Sequence, residues 1–338
     1  MKQEERIELL ASLGIYVQKF DERLQAHMHR AAHNNGWFTI DNQKSALKAI
    51  AENYLNKPAL ENWVNQYQAA DTSATVGIIA AGNIPAVAFH DLLAVFITGH
   101  RAKVKQSEKD PYLLPYLVKV MAESDPRINE YIDFVNKLEG FEAVIATGSN
   151  NSARYFEQYF GKYPNIIRKN RNAVALLTGE ESEKDLELLS HDIFQHFGLG
   201  CRNVSHILVP GGYDHEKLRA PFETYKHIID HSKYRNNYDY NLAIALLNRE
   251  KHLEMGNVIL KESDQLISPI GCLHYSSYTT TGGAESFLES RQDEIQCVVS
   301  QAPLKSLRTV DFGQAQSPSL DDYADGVDTM EFLTTLNV

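Results

Sequence analysis

Cys201 is the residue of this chain with the clearest potential for covalent chemistry. It lies in HFGLGCRNVSHILVP, where a predicted helix ends, glycines flank a turn and a predicted strand follows. A cysteine becomes a nucleophile when a neighbouring charge or donor stabilises its thiolate, and Arg202 and His196 are candidates for that role. The same pattern also fits the commoner role of a lone cysteine, which is to fill a buried apolar space.

Two further turns carry polar residues that could contact a substrate or a cofactor. Asn83 follows a predicted strand in AAGNIPA and could donate its amide to a developing oxyanion, although asparagine is also an ordinary turn residue. The turn of Thr147, Gly148 and Ser149 in VIATGSNNSARYF precedes a predicted helix, whose first amides would attract a phosphate group. Each signal is weak when it is taken alone.

Lys105 and Glu108, in VKQSEKD at the end of a predicted strand, could bind the ribose hydroxyls of a dinucleotide or could belong to a solvated loop. Other chemistries have less support. HExxH and GxSxG are absent, and the acidic run DDYADGVD lacks the spacing and the closing Glu of an EF-hand. The three cysteines form no CxxC pair, so the sequence predicts neither a metal site nor a disulfide framework.

Charge and hydropathy exclude some classes of partner. The 338 residues carry a formal net charge of −11, which disfavours a nucleic acid bound mainly through its phosphates. The longest apolar region, residues 76–98, is interrupted by Asn83, Pro85, His90 and Asp91, so no membrane span is predicted. The first twenty residues mix charged and apolar side chains, unlike a signal peptide, and we therefore expect a cytoplasmic protein.

The order of predicted elements indicates an α/β fold. Residues 1–70 are predicted to be helical, and strands and helices alternate from Ala74 onward, as in a parallel sheet with helical crossovers. We expect N-terminal helices over 1–70 that pack on a Rossmann-like nucleotide-binding domain over 71–198. A catalytic thiol domain over 199–310 and a C-terminal segment over 311–338 complete the prediction.

The motifs occur in an order that resembles the aldehyde dehydrogenase superfamily. VGIIAAGNIPA, VKQSE, ATGSNNSAR, GLGC and LISPIG follow one another as the equivalent segments do there. Within the superfamily, AGNIPAVAFHD, IIRKNRNAVAL and FGLGCRNVSHILVP are most similar to acyl-CoA reductases related to the fatty-acid reductase of bacterial bioluminescence. The resemblance covers about residues 70–335 and implies an aldehyde-dehydrogenase-like fold with a Rossmann-like domain and a second α/β domain.

The resemblance also implies a role for each candidate residue. Cys201 would be the nucleophile, and Asn83 would stabilise the oxyanion. Lys105, Ser107 and Glu108 would contact the adenosine ribose of a dinucleotide. Thr147, Gly148 and Ser149 would contact its pyrophosphate, and Gln265 would contact its nicotinamide ribose.

Two departures from the superfamily pattern affect the expected chemistry. The segment IIRKNRN has Ile166 or Ile167 near the position where the superfamily has a Glu that activates the hydrolytic water. Without that base, reduction of the enzyme-bound thioester is favoured over its hydrolysis. Gln265 stands where the superfamily usually has a Glu, and because Gln can still accept a hydrogen bond we expect weaker cofactor binding rather than none.

The expected reaction is the reduction of an acyl-CoA, of long chain by the resemblance, to the aldehyde through a thioester on Cys201. The cofactor is expected to be NADPH, with NADH as the alternative, since an acid at Glu108 would repel a 2′-phosphate. An acyl-carrier thioester is an alternative substrate, and a homo-oligomer is possible. Two other hypotheses stay open, namely an aldehyde dehydrogenase working in the oxidising direction and a non-catalytic binding protein.

Overall fold

Short runs of branched apolar residues form two separate, mainly parallel sheets. The computed structural model describes residues 1–70, 72–305 and 307–336. The chain divides into unit 1, which comprises Met1–Asn170 and the chain from Ser317 on, and unit 2, which comprises Arg171–Gln316. Unit 2 is thus inserted into the sequence of unit 1.

Unit 1 contains a five-stranded sheet in which every strand pair is parallel, as a Rossmann-like unit requires. Its strands are β1 Thr75–Ile79, β2 Arg101–Lys105, β3 Ile132–Phe134, β4 Ala143–Thr147 and β5 Asn165–Arg168. Its first helices are α1 Gln3–Gln18, α2 Glu22–Asn34, α3 Ile40–Ala49, α4 Lys57–Val64, α5 Phe89–Thr98, α6 Leu113–Ser124 and α7 Asn150–Phe160. The strand order is β3-β2-β1-β4-β5.

Unit 2 contains a seven-stranded sheet in the order β12-β11-β6-β7-β10-β9-β8, with one antiparallel pair, β8 with β9, at its edge. The strands are β6 Asn172–Leu176, β7 Val204–Pro210, β8 His252–Glu254, β9 Ile259–Glu262, β10 Cys272–Tyr278, β11 Ile295–Val299 and β12 Thr309–Val310. The helices are α8 Glu183–Phe194, α9 Arg219–Glu223, α10 Ser232–Leu247 and α11 Thr281–Ser290, and the chain then returns to unit 1 and ends in α12 Thr329–Thr334.

Shorter turns connect these elements. A π-helical turn, Ile50–Tyr54, follows α3, and the remaining short turns are 3-10 helices. They span Pro126–Glu130, Gln195–Gly198, His215–Leu218, Lys226–Asp230, Gln292–Glu294 and Ala324–Gly326. Among the described residues, no helix combines the length and the hydrophobicity that a bilayer crossing needs.

The boundary between the units lies at residue 170, not at 198 as predicted. Strand β6 and helix α8, expected in the nucleotide-binding domain, belong to unit 2 because β6 pairs with β7 on one side and with β11 on the other. The N-terminal helices share one apolar core with β1, β2 and α5. The C-terminal segment divides at 316, since Leu320, Met330 and Leu333 join that same core.

A buried ion pair holds the returning chain in unit 1. Arg168, at the end of β5, donates from Nη1 to both carboxylate oxygens of Asp91 in α5 at 2.7 Å, and from Nη2 to Thr329 Oγ1 at 2.9 Å. Both charged side chains are less than a tenth exposed. Nearby, His100 accepts the Ala74 N–H at Nδ1 and donates from Nε2 to the Leu333 carbonyl, so the neutral ring also joins β1 to α12.

Replacing Asp91 by Asn should strongly destabilise unit 1, because the Arg168 charge would stay buried without its counter-ion. We expect a loss of about 3–5 kcal/mol. Both tryptophans, Trp37 and Trp63, lie in unit 1, so urea unfolding followed by tryptophan fluorescence measures this unit. Glu123→Gln in the exposed Arg23–Glu123 pair is the control, with an expected loss below about 1 kcal/mol. Equal losses would contradict a dominant role for the buried pair.

Candidate active site

Two parallel strands of unit 1 end at candidate cofactor residues. Strands β2 and β4 flank β1 on either side, and their last residues are Lys105 and Thr147. Chain order reverses between β1 and β4, and in open α/β sheets ligands bind beyond the carboxyl ends of the strands at such a reversal. Lys105 and Thr147 therefore lie at the edge of the sheet where a nucleotide is expected.

Lys105 lines a cleft of ≈ 610 Å³ in unit 1, a size that suits an adenosine-sized ligand. The cleft has an aromatic side, where Phe141 packs against Phe160 and Tyr163. Its rim carries charged residues. The cleft as a whole is lined by Ile79, Lys105, Lys137, Leu138, Glu139, Gly140, Phe141, Tyr159, Phe160, Lys162 and Tyr163. Flat aromatic rings beside lysine ammonium groups fit a nucleobase with an attached phosphate.

The loop that follows β2 is held by backbone contacts. Ser107 Oγ accepts the Lys109 N–H at 3.2 Å, and a side chain at Gly82 would overlap Ser107. The carbonyl of Glu108 accepts a hydrogen bond from Asn34 Nδ2 at the end of α2, which leaves the exposed Glu108 carboxylate to solvent. Ser107 therefore shapes the loop, and Lys105 lines the cleft whereas Ser107 and Glu108 are not among the residues that line it.

Asn83 lies half-buried in the bend after β1, in a backbone segment fixed by Asp110. Ala86 adopts a left-handed conformation with φ 53°, which costs free energy for a residue with a side chain. Its N–H donates to Asp110 Oδ2 at 2.7 Å. Burial raises the pKa of the Asp110 carboxyl to about 6, while the Ala86 N–H opposes that rise.

The predicted phosphate turn is a helix N-terminus of ordinary capped form. Ser149 is the N-cap of α7, and its Oγ accepts the Ser152 N–H at 3.2 Å. A side chain at Gly148 would lie 2.8 Å from the Phe156 ring, so glycine permits the close passage of the chain over the helix. The cap thus uses the Ser152 N–H, and the other amides of the first turn of α7 are the groups that would attract an anion.

Cys201 occupies the corner of a tight turn between α8 and β7 in unit 2. The turn runs from Gly200 to Asn203 and is closed by the Asn203 N–H, which donates to the Gly200 carbonyl at 3.1 Å. Cys201 is partly exposed, whereas Cys272 and Cys297 are buried. Burial raises the pKa of the Cys272 thiol to about 11, so that thiol stays protonated at neutral pH. Exposure thus distinguishes Cys201 from the other two cysteines.

The two neighbours predicted to stabilise the thiolate are both buried. His196 is buried, and burial together with nearby His191 lowers the pKa of its ring to about 4. It is therefore neutral at neutral pH and brings no positive charge to the turn, because a buried imidazolium would be poorly solvated. Arg202 directly follows Cys201 and is also buried.

Gln265 lies in unit 2 with an exposed side chain, at the border of a cleft of ≈ 540 Å³. Its backbone is held by two histidines. His206 Nδ1 and His274 Nδ1 donate to the Gln265 carbonyl at 3.1 and 2.9 Å. Burial lowers the pKa of His206 to about 4, so at neutral pH its Nε2 accepts the Ser276 hydroxyl at 2.8 Å. Asn83 and the nucleotide residues belong to unit 1, so their joint action with Cys201 and Gln265 stays a prediction.

Strand β5 carries the isoleucines of the segment IIRKNRN, where the sequence resemblance predicts that a general base is missing. Its burial alternates, so that Ile166 and Arg168 are buried while Ile167 is half-buried on the other face. Asn165–Arg168 therefore offers two isoleucines and a paired arginine, and no carboxylate. Among the residues that the structure describes, no group of three His, Cys, Asp or Glu side chains could hold a metal ion.

Sequence reasoning missed residues that support these sites rather than form them. Asp110 and Asn203 each hold a turn through backbone groups, and Lys137 and Lys162 border the cleft of Lys105. A short Asp or Asn beside a glycine or proline turn often bonds to local backbone groups, which is a signal for the first two. The two lysines come from loops far apart in sequence, and only the folded sheet brings them together.

Known structures match this chain by fold but not by close sequence. No family model and no curated protein matches it. A putative aldehyde dehydrogenase from Burkholderia cenocepacia matches with a TM-score of 0.67 at 14% identity, over 90% of this chain and 75% of that chain. Aldehyde dehydrogenase 21 from Physcomitrella patens, in complex with the reaction product succinate, gives 0.69 at 11% identity, over 99% and 84%.

A third match is a mutant of propionaldehyde dehydrogenase from the Clostridium phytofermentans fucose utilisation bacterial microcompartment. Its TM-score is 0.62 at 9% identity, over 89% of this chain and 78% of that chain. These likenesses confirm the predicted fold class, which is α/β and aldehyde-dehydrogenase-like. At such low identities they extend to the fold alone.

The buried His206 should make unit 2 sensitive to acid. Burial lowers the pKa of this ring to about 4, so between the ordinary histidine value of 6.5 and about 4 the unfolded chain binds more protons than the folded one. The contribution of His206 to stability is therefore complete above pH 6.5 and is lost as the pH falls towards 4. Hydrogen exchange of peptides from β7 and β10 measures this loss.

In His206→Gln the stability that unit 2 loses on acidification should be smaller than in the wild type, by up to about 1.4 kcal/mol per pH unit. His227→Gln, at an exposed histidine of the same unit, is the matched control and should leave the pH dependence unchanged. An unaltered slope in His206→Gln would show that this ring does not cause the acid sensitivity.

Proposed function

We propose that this protein reduces an acyl thioester to the aldehyde with a nicotinamide cofactor, through an acyl group carried on Cys201. The observation that carries the proposal is the partly exposed Cys201 at the corner of a closed turn in a chain with an aldehyde-dehydrogenase-like fold. The substrate is an acyl-CoA, of long chain by the resemblance, with an acyl-carrier thioester as the alternative donor.

The proposed reaction begins when the Cys201 thiolate attacks the carbonyl carbon of the acyl thioester. The resulting tetrahedral oxyanion is stabilised by the Asn83 side-chain amide, and one such donor contributes about 3–4 kcal/mol. The C–S bond to the donor then breaks, its thiolate takes up a proton, and the acyl group stays on Cys201 Sγ. When bound, the nicotinamide supplies the hydride that reduces this acyl group. Cys201 then leaves as thiolate, and the aldehyde is released.

The composition of β5 supports reduction over hydrolysis. A thioester on Cys201 is hydrolysed quickly only if a general base activates a water molecule beside it. Ile166 and Ile167 occupy the stretch where the superfamily resemblance locates that base, and neither side chain can accept a proton. The thioester would therefore persist until it is reduced.

The residues of unit 1 fit a dinucleotide. The proposal assigns Lys105 and the aromatic side of its cleft to the adenosine, and Thr147, Gly148, Ser149 and the first amides of α7 to the pyrophosphate. Among the described residues at the rim, Lys105, Lys137 and Lys162 outnumber the single acid Glu139, which pairs with Lys137 at 2.5 Å. The surplus of positive charge favours a 2′-phosphate, and we propose NADPH over NADH.

The nucleophile is tested by Cys201→Ala. We expect acyl-CoA reductase activity to fall by at least about 10³-fold, because the covalent route is lost. A labelled acyl group should be trapped on Cys201 of the wild type by acid quenching and located by peptide mass spectrometry. Cys297→Ala, at a buried cysteine of the same unit, is the control and should keep both properties.

Three results would contradict this proposal. Wild-type activity in Cys201→Ala would exclude the covalent mechanism. Free acid instead of aldehyde as the main product would indicate an enzyme that works in the oxidising direction. Dinucleotide binding without turnover of any acyl thioester would indicate a non-catalytic protein.

The cofactor preference is tested by the binding of 2′,5′-ADP and 5′-ADP, measured by calorimetry at low salt. We expect Lys162→Met to weaken 2′,5′-ADP binding by about 2- to 5-fold, as for the loss of one exposed charge, and to leave 5′-ADP binding nearly unchanged. Lys48→Met, at an exposed lysine of unit 1 paired with Glu52, is the control. An equal effect on both nucleotides would contradict a role for Lys162 at the 2′-phosphate.

A further inference from the structure

We infer that Asn203 is a positioning residue that fixes the turn from which Cys201 acts. The inference rests on the proposed function for the role of Cys201 as the nucleophile. The hydrogen bonds of Asn203 themselves are independent of that role. All of them lie within unit 2.

The side chain of Asn203 joins the end of α8 to the cysteine turn. Its Nδ2 donates to the carbonyls of Asp192, Ile193 and Gln195 at 3.0, 3.3 and 2.7 Å. Its Oδ1 accepts the Gly200 N–H at 2.7 Å. The last carbonyls of a helix have no partner within the helix, so this amide caps α8 and binds the turn at the same time.

The backbone of Asn203 completes the constraint. Its N–H closes the turn on the Gly200 carbonyl, and its own carbonyl accepts the N–H of Ala173 in β6, an interior strand of the sheet, at 3.0 Å. Gly200 is thus held at both its N–H and its carbonyl by one residue. Cys201 and Arg202 are the two residues between these fixed ends, so the Cys201 backbone is tied to the middle of the sheet.

The backbone segment that precedes this turn is strained and needs contacts that hold it in place. His196, Phe197 and Gly198 adopt left-handed conformations in succession, with φ 54°, 60° and 75°. Such a conformation costs roughly 1–2 kcal/mol for each residue that has a side chain. A strained segment persists only where its surroundings determine it, and Asn203 bonds to the chain on both sides of it, at Gln195 and at Gly200.

Only an amide suits this position. Asn203 is fully buried, so no solvent replaces a lost bond. Aspartate would keep the acceptor for Gly200 but would turn a carboxylate towards three carbonyl oxygens, and alanine would remove both functions. Each change should release the turn while leaving Cys201 in place.

The test compares Asn203→Ala and Asn203→Asp with a matched control, Asn257→Asp. Asn257 is a buried asparagine of unit 2 whose Nδ2 donates to the Phe222 carbonyl at 2.9 Å, outside the cysteine turn. The first measurement is the rate of Cys201 alkylation by iodoacetamide over pH 6–10, located by peptide mass spectrometry. The buried Cys272 reports unfolding in the same digest, because it reacts only when the unit opens.

In both Asn203 variants we expect Cys201 to be alkylated faster than in the wild type across this pH range, because the released turn gives the reagent freer access to the thiol, with Cys272 still protected. The acylation kcat should fall by about 10- to 100-fold, the range found when a supporting residue is removed, with KM changed by less than about threefold. Asn257→Asp should leave the alkylation profile of Cys201 unchanged, even where it lowers stability as much.

An alkylation profile identical to that of the wild type in both Asn203 variants would overturn the inference. Parallel exposure of Cys201 and Cys272 would do so too, because it would show a merely structural role. These outcomes do not depend on acyl transfer. If the wild type forms no acyl-enzyme, the proposed function fails, and the alkylation comparison still decides whether Asn203 fixes the thiol.

Discussion

The parallel pairing of β1 with β2 and β4 is the constraint on which the arrangement of unit 1 depends. Parallel strands need crossover connections, so the chain leaves each strand at the same edge of the sheet and returns through a helix. Lys105 and Thr147 lie at that edge because they end β2 and β4, the two strands that flank β1. Lys105 and the capped turn of α7 both lie at this edge, although 42 positions separate Lys105 from Thr147 in sequence.

Two short polar side chains, one in each unit, fix a loop that contains residues in the left-handed conformation. Asp110 holds the left-handed Ala86 beside Asn83, and Asn203 holds both ends of the left-handed segment that precedes Cys201. In each case a buried side chain bonds to backbone atoms instead of to another side chain, so the position of the loop depends on very few atoms. Burial strengthens such bonds and makes their loss costly, since no water replaces the missing partner.

The parts of this structure that could be predicted from sequence are those with a strong local pattern. Strands β1 and β4 are short, mainly apolar runs with branched residues, and the motif order supplied the fold class and the turn of Cys201. Helix α10 was not predicted, because its apolar residues form no single stripe: Tyr240, Ile244 and Leu247 are exposed, while Tyr234 and Tyr238 are buried. Its asparagines bond instead to backbone carbonyls, as Asn241 does to Asn237 and Ile270.

Other features depend on contacts between segments that are far apart in sequence, so the local sequence does not indicate them. The boundary at residue 170 follows from the pairing of β6 with β11, which lies more than a hundred positions later. The neutrality of His196 follows from burial, and a histidine beside a cysteine in sequence does not reveal it. The pairing of Asn83 with Cys201 and the roles of the cofactor residues stay predictions, supported by the resemblance and by the geometry within each unit.

The return of the chain from unit 2 to unit 1 has a consequence for biosynthesis. Leu333 bonds to His100 and Thr329 to Arg168, so the core of unit 1 closes only after the whole of unit 2 has left the ribosome. Contacts of such long sequence separation form slowly, because the intervening chain must first become compact. Unit 2 can therefore fold first, while unit 1 still exposes apolar surface that its last segment will cover. The nascent chain at this stage is the species most prone to aggregate and to bind chaperones.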